Sequence, residues 1–283
     1  MRKILFVSTL ILVGFVGFHA LPSTAEFMTP EHEAVSDVIA ILQPTNVPTT
    51  IHASAWGIFD IQTGRIIAGN QIDTVQPIAS IAKLFTATVV LESKKKYASF
   101  TIMPSDVAVE GDAGKLKSGD SVTPYQLLYP LLLESSNDAA EAIRRFSGDT
   151  FQDARKKIID DAGIPNTVLV DASGLSVKNV STVRDLAQFF SYLYVTDPHI
   201  LDITQLYTYV GDDTGYINNN PGRKFNSFIG GKQGHTDEAQ YTFLGGFKSL
   251  KSNTEIGIVV LGSANIREDI NTLLSTYDMQ ETI

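Results

Sequence analysis

Three short groups of residues in this chain carry side chains suited to nucleophilic catalysis: Ser80-Ile81-Ala82-Lys83, Ser135-Ser136-Asn137 and Lys232-Gln233-Gly234. Ser80 opens a helical pattern (Ile81, Leu84, Phe85, Thr88, Val89), and three residues along a helix bring serine and lysine to one face. A serine hydroxyl attacks a carbonyl only when a base takes its proton. Lysine can be that base if its pKa falls from about 10.4 toward about 7 to 8, which burial at a helix N-terminus and a second nearby cation promote. Lys232 is the candidate for that cation. The chain has no cysteine, which excludes disulfides, thiolate metal sites and a cysteine nucleophile.

Other chemistries have weaker support. The histidines are His19, His32, His52, His199 and His235, and only His235 adjoins a candidate residue. No Gly-x-Ser-x-Gly elbow accompanies it, which argues against a Ser-His-Asp triad. Neither His-Glu-x-x-His nor any clustered ligand spacing occurs, so no metal and no cofactor is expected. Lys and Arg number 22 against 31 Asp and Glu, and a net charge of -9 argues against a nucleic-acid partner held through phosphates.

The elements that must hold these groups are legible as periodicity. After a proline-bearing stretch at 44–50, residues 52–61 and 65–68 alternate as a strand pair about Gln62-Thr63-Gly64. Helical spacing recurs over 80–92, 124–146, 151–162 and 182–194. Strand character returns at 241–250 and 255–262, and 269–277 is helical again. Strands at both chain ends around a helical middle predict an α+β fold, with one antiparallel sheet built from both ends and helices packed on it and beside it.

Residues 1–25 have a basic start (Arg2, Lys3), an apolar stretch over 4–21 and a small-residue exit, Pro22-Ser23-Thr24-Ala25. This is the form of an export signal, and the apolar stretch is also nearly long enough to anchor in a bilayer. Residues 26–50 read as a short helix and linker, and 51–283 as the catalytic domain. An exported, extracytoplasmic protein is expected, secreted or held to the membrane through its N-terminal segment alone.

Around the three groups, longer segments stand in a telling order. Pro77-Ile78-Ala79-Ser80-Ile81-Ala82-Lys83-Leu84 comes first, then Leu131-Leu132-Leu133-Glu134-Ser135-Ser136-Asn137-Asp138-Ala139-Ala140, preceded by Val122-Thr123. Ala172-Ser173-Gly174-Leu175, with Ser181-Thr182 and Asp185-Leu186-Ala187, follows, and Gly231-Lys232-Gln233-Gly234-His235-Thr236 closes the set. Together, over roughly 51–264, they resemble the low-molecular-mass penicillin-binding serine D-alanyl-D-alanine carboxypeptidases. The resemblance implies a β-lactamase/transpeptidase-like fold with an all-helical subdomain, peptidoglycan stem peptides as substrate, β-lactams as covalent inhibitors, and a monomer.

It also implies roles. Ser80 would be acylated, Lys83 would be its base, and Ser135 would relay a proton to the leaving amine. Asn137 would hold a substrate amide, and Lys232 would face both the serines and the substrate carboxylate. The backbone N–H groups of Ser80 and His235 would form the oxyanion hole, one such donor being worth about 3 to 4 kcal/mol. Gly234 would let the substrate lie along the strand edge.

One position departs from the pattern. Gln233 stands where Thr or Ser is usual, and that hydroxyl helps bind the terminal carboxylate of the substrate. Its loss costs about 1.5 to 3 kcal/mol, so weaker selection for a free C-terminal D-alanine is expected, with Thr236 as a compensating donor. That shift gives weight to an endopeptidase acting on D-Ala cross-links. A non-catalytic peptidoglycan binder is the reading from another class. A class A β-lactamase would need a Glu-x-x-x-Asn segment after the second group, and 160–181 contains none.

Overall fold

A computed structural model of the chain describes residues 51–111, 115–211, 214–249 and 254–280. The export signal and the linker expected before residue 51 lie outside the described residues. Five strands form the main sheet: β1 (Ala55–Asp60), β2 (Ile66–Asn70), β3 (Phe228–Thr236), β4 (Gln240–Lys248) and β5 (Glu255–Ser263). Their order is β2-β1-β5-β4-β3, with every neighbouring pair antiparallel, so the two ends of the chain share one sheet as expected.

Both faces of this sheet are covered, which explains why β5 reads as a nearly unbroken apolar run. Phe59, Leu244, Val259 and Leu261 face one core, with the helices of the chain's middle. Ile58, Phe243, Ile258 and Val260 face the other, against Ile266, Ile270 and Leu273 of the C-terminal helix Ile266–Gln280. In the described sheet β3 is an edge strand, and side chains of Gln205, Thr204 and Asn220 take the backbone groups of Ile229 and Gly231 along it.

The middle of the chain supplies α1 (Ala82–Glu92), α2 (Pro124–Leu133), α3 (Asn137–Ser147), α4 (Thr150–Ala162), α5 (Val183–Thr196) and α6 (Pro198–Gln205). Every residue of α1 from Ala82 to Val90 is buried, so this helix is wrapped on all sides rather than amphipathic. A capping box starts α2: Thr123 Oγ1 accepts from Gln126 N at 3.2 Å, and Thr123 N donates to Gln126 Oε1 at 2.8 Å.

The periodicity over 124–146 predicts one continuous helix, whereas the structure breaks it between α2 and α3. Ser135 takes φ +64, Ser136 N closes back on Pro130 O at 3.0 Å, and Ser136 Oγ caps α3 by accepting from Ala139 N at 3.0 Å. Apolar spacing carries across such a break because both helices bury the same side of the chain. Periodicity also passed over α6 and the small hairpin of Thr208–Val210 with Gly215–Ile217, both too short to register.

Candidate active site

Ser80 sits in a 3-10 turn, Ala79–Ile81, that runs directly into α1, and the residue before it, Ala79, holds φ +46. A non-glycine residue in this region is strained, and such strain persists only where packing enforces it. Lys83, in the first turn of α1, is wholly buried at 0% exposure. Its Nζ lies 2.9 Å from Ser80 Oγ, 2.8 Å from Asn137 Oδ1 and 2.7 Å from the carbonyl of Ser173. All three are oxygen atoms that can accept from an ammonium N–H.

The break between α2 and α3 presents Ser135 toward β3, where Lys232 Nζ donates to Ser135 Oγ at 3.0 Å and to Gln233 O at 2.7 Å. Lys232 is 1% exposed. Asn137 uses both ends of its amide, accepting from Lys83 and donating from Nδ2 to Glu110 O at 2.8 Å. Residues 80, 83, 135, 137 and 232 therefore converge from α1, the α2–α3 break and the edge strand.

Two glycines make the convergence possible. A Cβ on Gly234 would stand 2.5 Å from Ser80 N, so only glycine lets β3 lie against the turn that bears Ser80. Gly174, at φ +88, packs on the other flank, and a Cβ there would stand 1.9 Å from Ala79 O. The loop bearing Gly174 is organised by Asp171, a residue the motif reading passed over. Its carboxylate accepts from Ser173 N, Gly174 N, Ser176 N and Asn179 Nδ2. Burial alone would raise the Asp171 carboxyl, but these hydrogen bonds outweigh it and hold it below the usual carboxylate range. The loop so fixed delivers the Ser173 carbonyl to Lys83.

The third group divides between the two faces of β3. Lys232 pairs across with Leu244 and Gln233 with Phe243, so their side chains leave on opposite faces. Gln233 Nε2 donates to Asn219 O at 3.0 Å. Thr236 Oγ1 accepts from Ala239 N in the turn into β4, and the His235 ring lies 4.4 Å from that of Tyr241, its cross-strand partner. A cavity of about 620 Å³ opens beside Gln233.

Residues 42–265 match the family model described as D-alanyl-D-alanine carboxypeptidase. The chain belongs to that family. It is accordingly a serine-type D-Ala-D-Ala peptidase with the α+β fold of the penicillin-binding enzymes. It is 28% identical over 229 residues to a D-alanyl-D-alanine endopeptidase of Haemophilus influenzae, covering 77% of this chain and 78% of that protein. A D-alanyl-D-alanine carboxypeptidase from Mycobacterium tuberculosis superposes with a TM-score of 0.76 at 25% identity, over 83% of this chain and 95% of the other. Penicillin-binding protein D2 from Listeria monocytogenes, in an ampicillin-bound form, superposes at 0.71 and 27% identity, over 81% and 98%.

Next to Asn137 in this family member stands a further buried acid. Asp138 is 1% exposed, and among the described residues its Oδ1 has no hydrogen-bond partner. Burial, with the negative charge of Asp106, pushes its carboxyl up from 3.8 to about 6. A raised carboxyl pKa means that the folded state holds the proton more tightly. Stability from this group is therefore full below pH 3.8 and lost as pH rises toward 6. Asp138→Asn is expected to raise folding stability at pH 7.5 by about 3 kcal/mol relative to its effect at pH 3.5. Urea unfolding of both proteins at the two pH values measures this, and a pH-independent difference would contradict it.

Proposed function

We propose that Ser80 is the nucleophile of this serine DD-peptidase and that Lys83 is its general base. The observation that carries this reading is the 2.9 Å contact between Lys83 Nζ and Ser80 Oγ, with the lysine fully buried. When Lys83 loses a proton, two N–H bonds remain for Asn137 Oδ1 and Ser173 O, and the lone pair turns to the Ser80 hydroxyl. Ser80 Oγ then attacks the carbonyl of the penultimate D-alanine, and its proton passes to Lys83. The oxyanion is received by the backbone N–H groups of Ser80 and His235. The C–N bond breaks as Ser135, backed by Lys232, gives its proton to the leaving amine and takes up the one held by Lys83, which is again the free base for deacylation. Water then attacks the acyl-enzyme, releasing a carboxylate and restoring Ser80.

Asn137 positions Lys83 and offers its amide edge to the substrate backbone, which runs along β3 past Gly234. Gln233, with Thr236 nearby, receives the leaving residue. The substrate is a D-alanyl peptide of peptidoglycan, and β-lactams acylate Ser80 in its place. The N-terminal segment directs the protein to the extracytoplasmic side, where residues 51–283 act as a monomeric catalytic domain.

Intact-protein mass spectrometry of residues 26–283 after incubation with a penicillin tests the reading. A one-to-one adduct absent from Ser80→Ala is the expected result. No adduct and no β-lactam consumed would instead favour a non-catalytic peptidoglycan binder.

A further inference from the structure

Arg155 on α4 is a buried charge that the reaction described above does not use. It is 2% exposed, and it forms no ion pair with a carboxylate among the described residues. Nη1 donates to Asp171 O, and Nη2 donates to Leu169 O at 3.1 Å and to Gln152 Oε1 at 2.6 Å. Nε has no partner among the described residues, and the guanidinium carbon lies 4.7 Å from the centre of the Phe151 ring. Burial pulls the group down to about 10, so it stays charged at neutral pH. Taking an unpaired charge out of water is unfavourable, and an apolar side chain could fill the same space without that penalty. A gain in folding stability alone therefore does not account for it.

Arg155 holds the backbone stretch that ends on Lys83. The amides of this stretch are tied within the loop itself: Asn179 Oδ1 accepts from Val170 N at 2.9 Å and Asp171 N at 3.2 Å, and the Asp171 carboxylate accepts from Ser173 N and Gly174 N. Those bonds set the internal shape of the loop. Its carbonyls are tied to two helices instead. Arg155 takes Leu169 O and Asp171 O from α4, while on α1 Thr86 Oγ1 donates to Ala172 O at 2.7 Å and Lys83 Nζ to Ser173 O at 2.7 Å. These bonds set where the loop stands against Lys83. A neutral lysine has two N–H bonds and one electron pair, so fixing the acceptors of both N–H bonds fixes the direction of the pair.

We propose that Arg155 is a positioning residue for acylation: by holding Leu169 O and Asp171 O it keeps Ser173 O against Lys83, and so keeps the electron pair of the lysine directed at Ser80. The inference rests on the reading of Lys83 as the general base. The proton still passes from Ser80 to Lys83, and Arg155 remains protonated throughout.

The test follows acylation of the full chain by a penicillin, using intact-protein mass spectrometry at rising penicillin concentration, in wild type, Arg155→Met and Arg155→Lys. Methionine removes the charge and both donors, whereas lysine keeps the charge without the planar fork that spans two carbonyls. Expected for Arg155→Met is a saturating rate about ten- to a hundredfold lower at an unchanged half-saturating concentration, with part of the loss recovered in Arg155→Lys. A general loosening of the fold would also slow acylation, so both changes are repeated in Lys83→Ala, whose slow residual acylation is followed over hours. There each is expected to matter by about twofold or less, because no base is left to position. Arg155→Lys, which retains the buried charge, carries the same comparison if Arg155→Met does not fold. A wild-type saturating rate in Arg155→Met, an equal fold loss in both backgrounds, or an Arg155→Lys no faster than Arg155→Met overturns the inference. Wild-type acylation in Lys83→Ala itself would instead overturn the reading of the base.

Discussion

Lys83→Ala slows acylation of Ser80 by a penicillin by about 10²- to 10⁴-fold, the range that a general base contributes. The lysine is the charged group in contact with Ser80 Oγ, and its burial excludes water as a ready substitute. Lys83→Arg separates the base from a merely structural cation. Arginine keeps the charge and the donors for Asn137 and Ser173 yet cannot release a proton in a protein. Both variants are therefore expected to acylate slowly, with near-UV circular dichroism confirming native packing. Acylation at the wild-type rate in either one would reject Lys83 as the base.

Gly174→Ala produces the second large effect, through the backbone alone. A left-handed conformation costs an L-residue about 1 to 2 kcal/mol. Here the new Cβ also meets Ala79 O at 1.9 Å, so the backbone before Ser80 must move, at about 1 to 3 kcal/mol more. Gly163→Ala is the control, because Gly163 is left-handed at φ +66 and ψ +43 with nothing within 4 Å of its Cβ position. Urea unfolding should show a loss of about 2 to 5 kcal/mol at Gly174 against about 1 to 2 at Gly163. Displacing Ser80 by about 1 Å should also cost Gly174→Ala about a hundredfold in acylation rate. Equal behaviour of the two variants would show that the contact with Ala79 is dispensable.

Much of this site was legible before any coordinates, for a local reason. Ser80 and Lys83 are one helical turn apart, and a helix must bring such a pair together whatever it packs against. The alternating and apolar runs over 52–68 and 241–262 likewise specify strands, because a half-buried or fully buried extended segment leaves that trace. The α2–α3 break left no such trace. Its cause is the φ +64 of Ser135 and a bond from Ser136 N to Pro130 O, and neither interrupts the apolar pattern on which helix prediction depends.

Asp171 and Arg155 were missed for a related reason. Each acts through contacts that give it no distinctive spacing. Asp171 gathers amides of its own loop, and Arg155 reaches the carbonyls of Leu169 and Asp171 only once that loop has folded against α4. Gln233 shows the converse: residue type announced a departure from the usual hydroxyl, while the partner that now holds its amide, Asn219, emerged from the fold.

Residue type and short-range spacing thus marked the pair proposed as nucleophile and base, the class of fold and the absence of cysteine chemistry, because these depend on local geometry and composition. The meeting of Lys83 with Asn137 and Ser173, and of Lys232 with Ser135, spans separations of 54, 90 and 97 residues. Such contacts follow from the closing of both chain ends into one sheet and the wrapping of α1 by its neighbours. Burial and direction, which no local spacing encodes, were decided there.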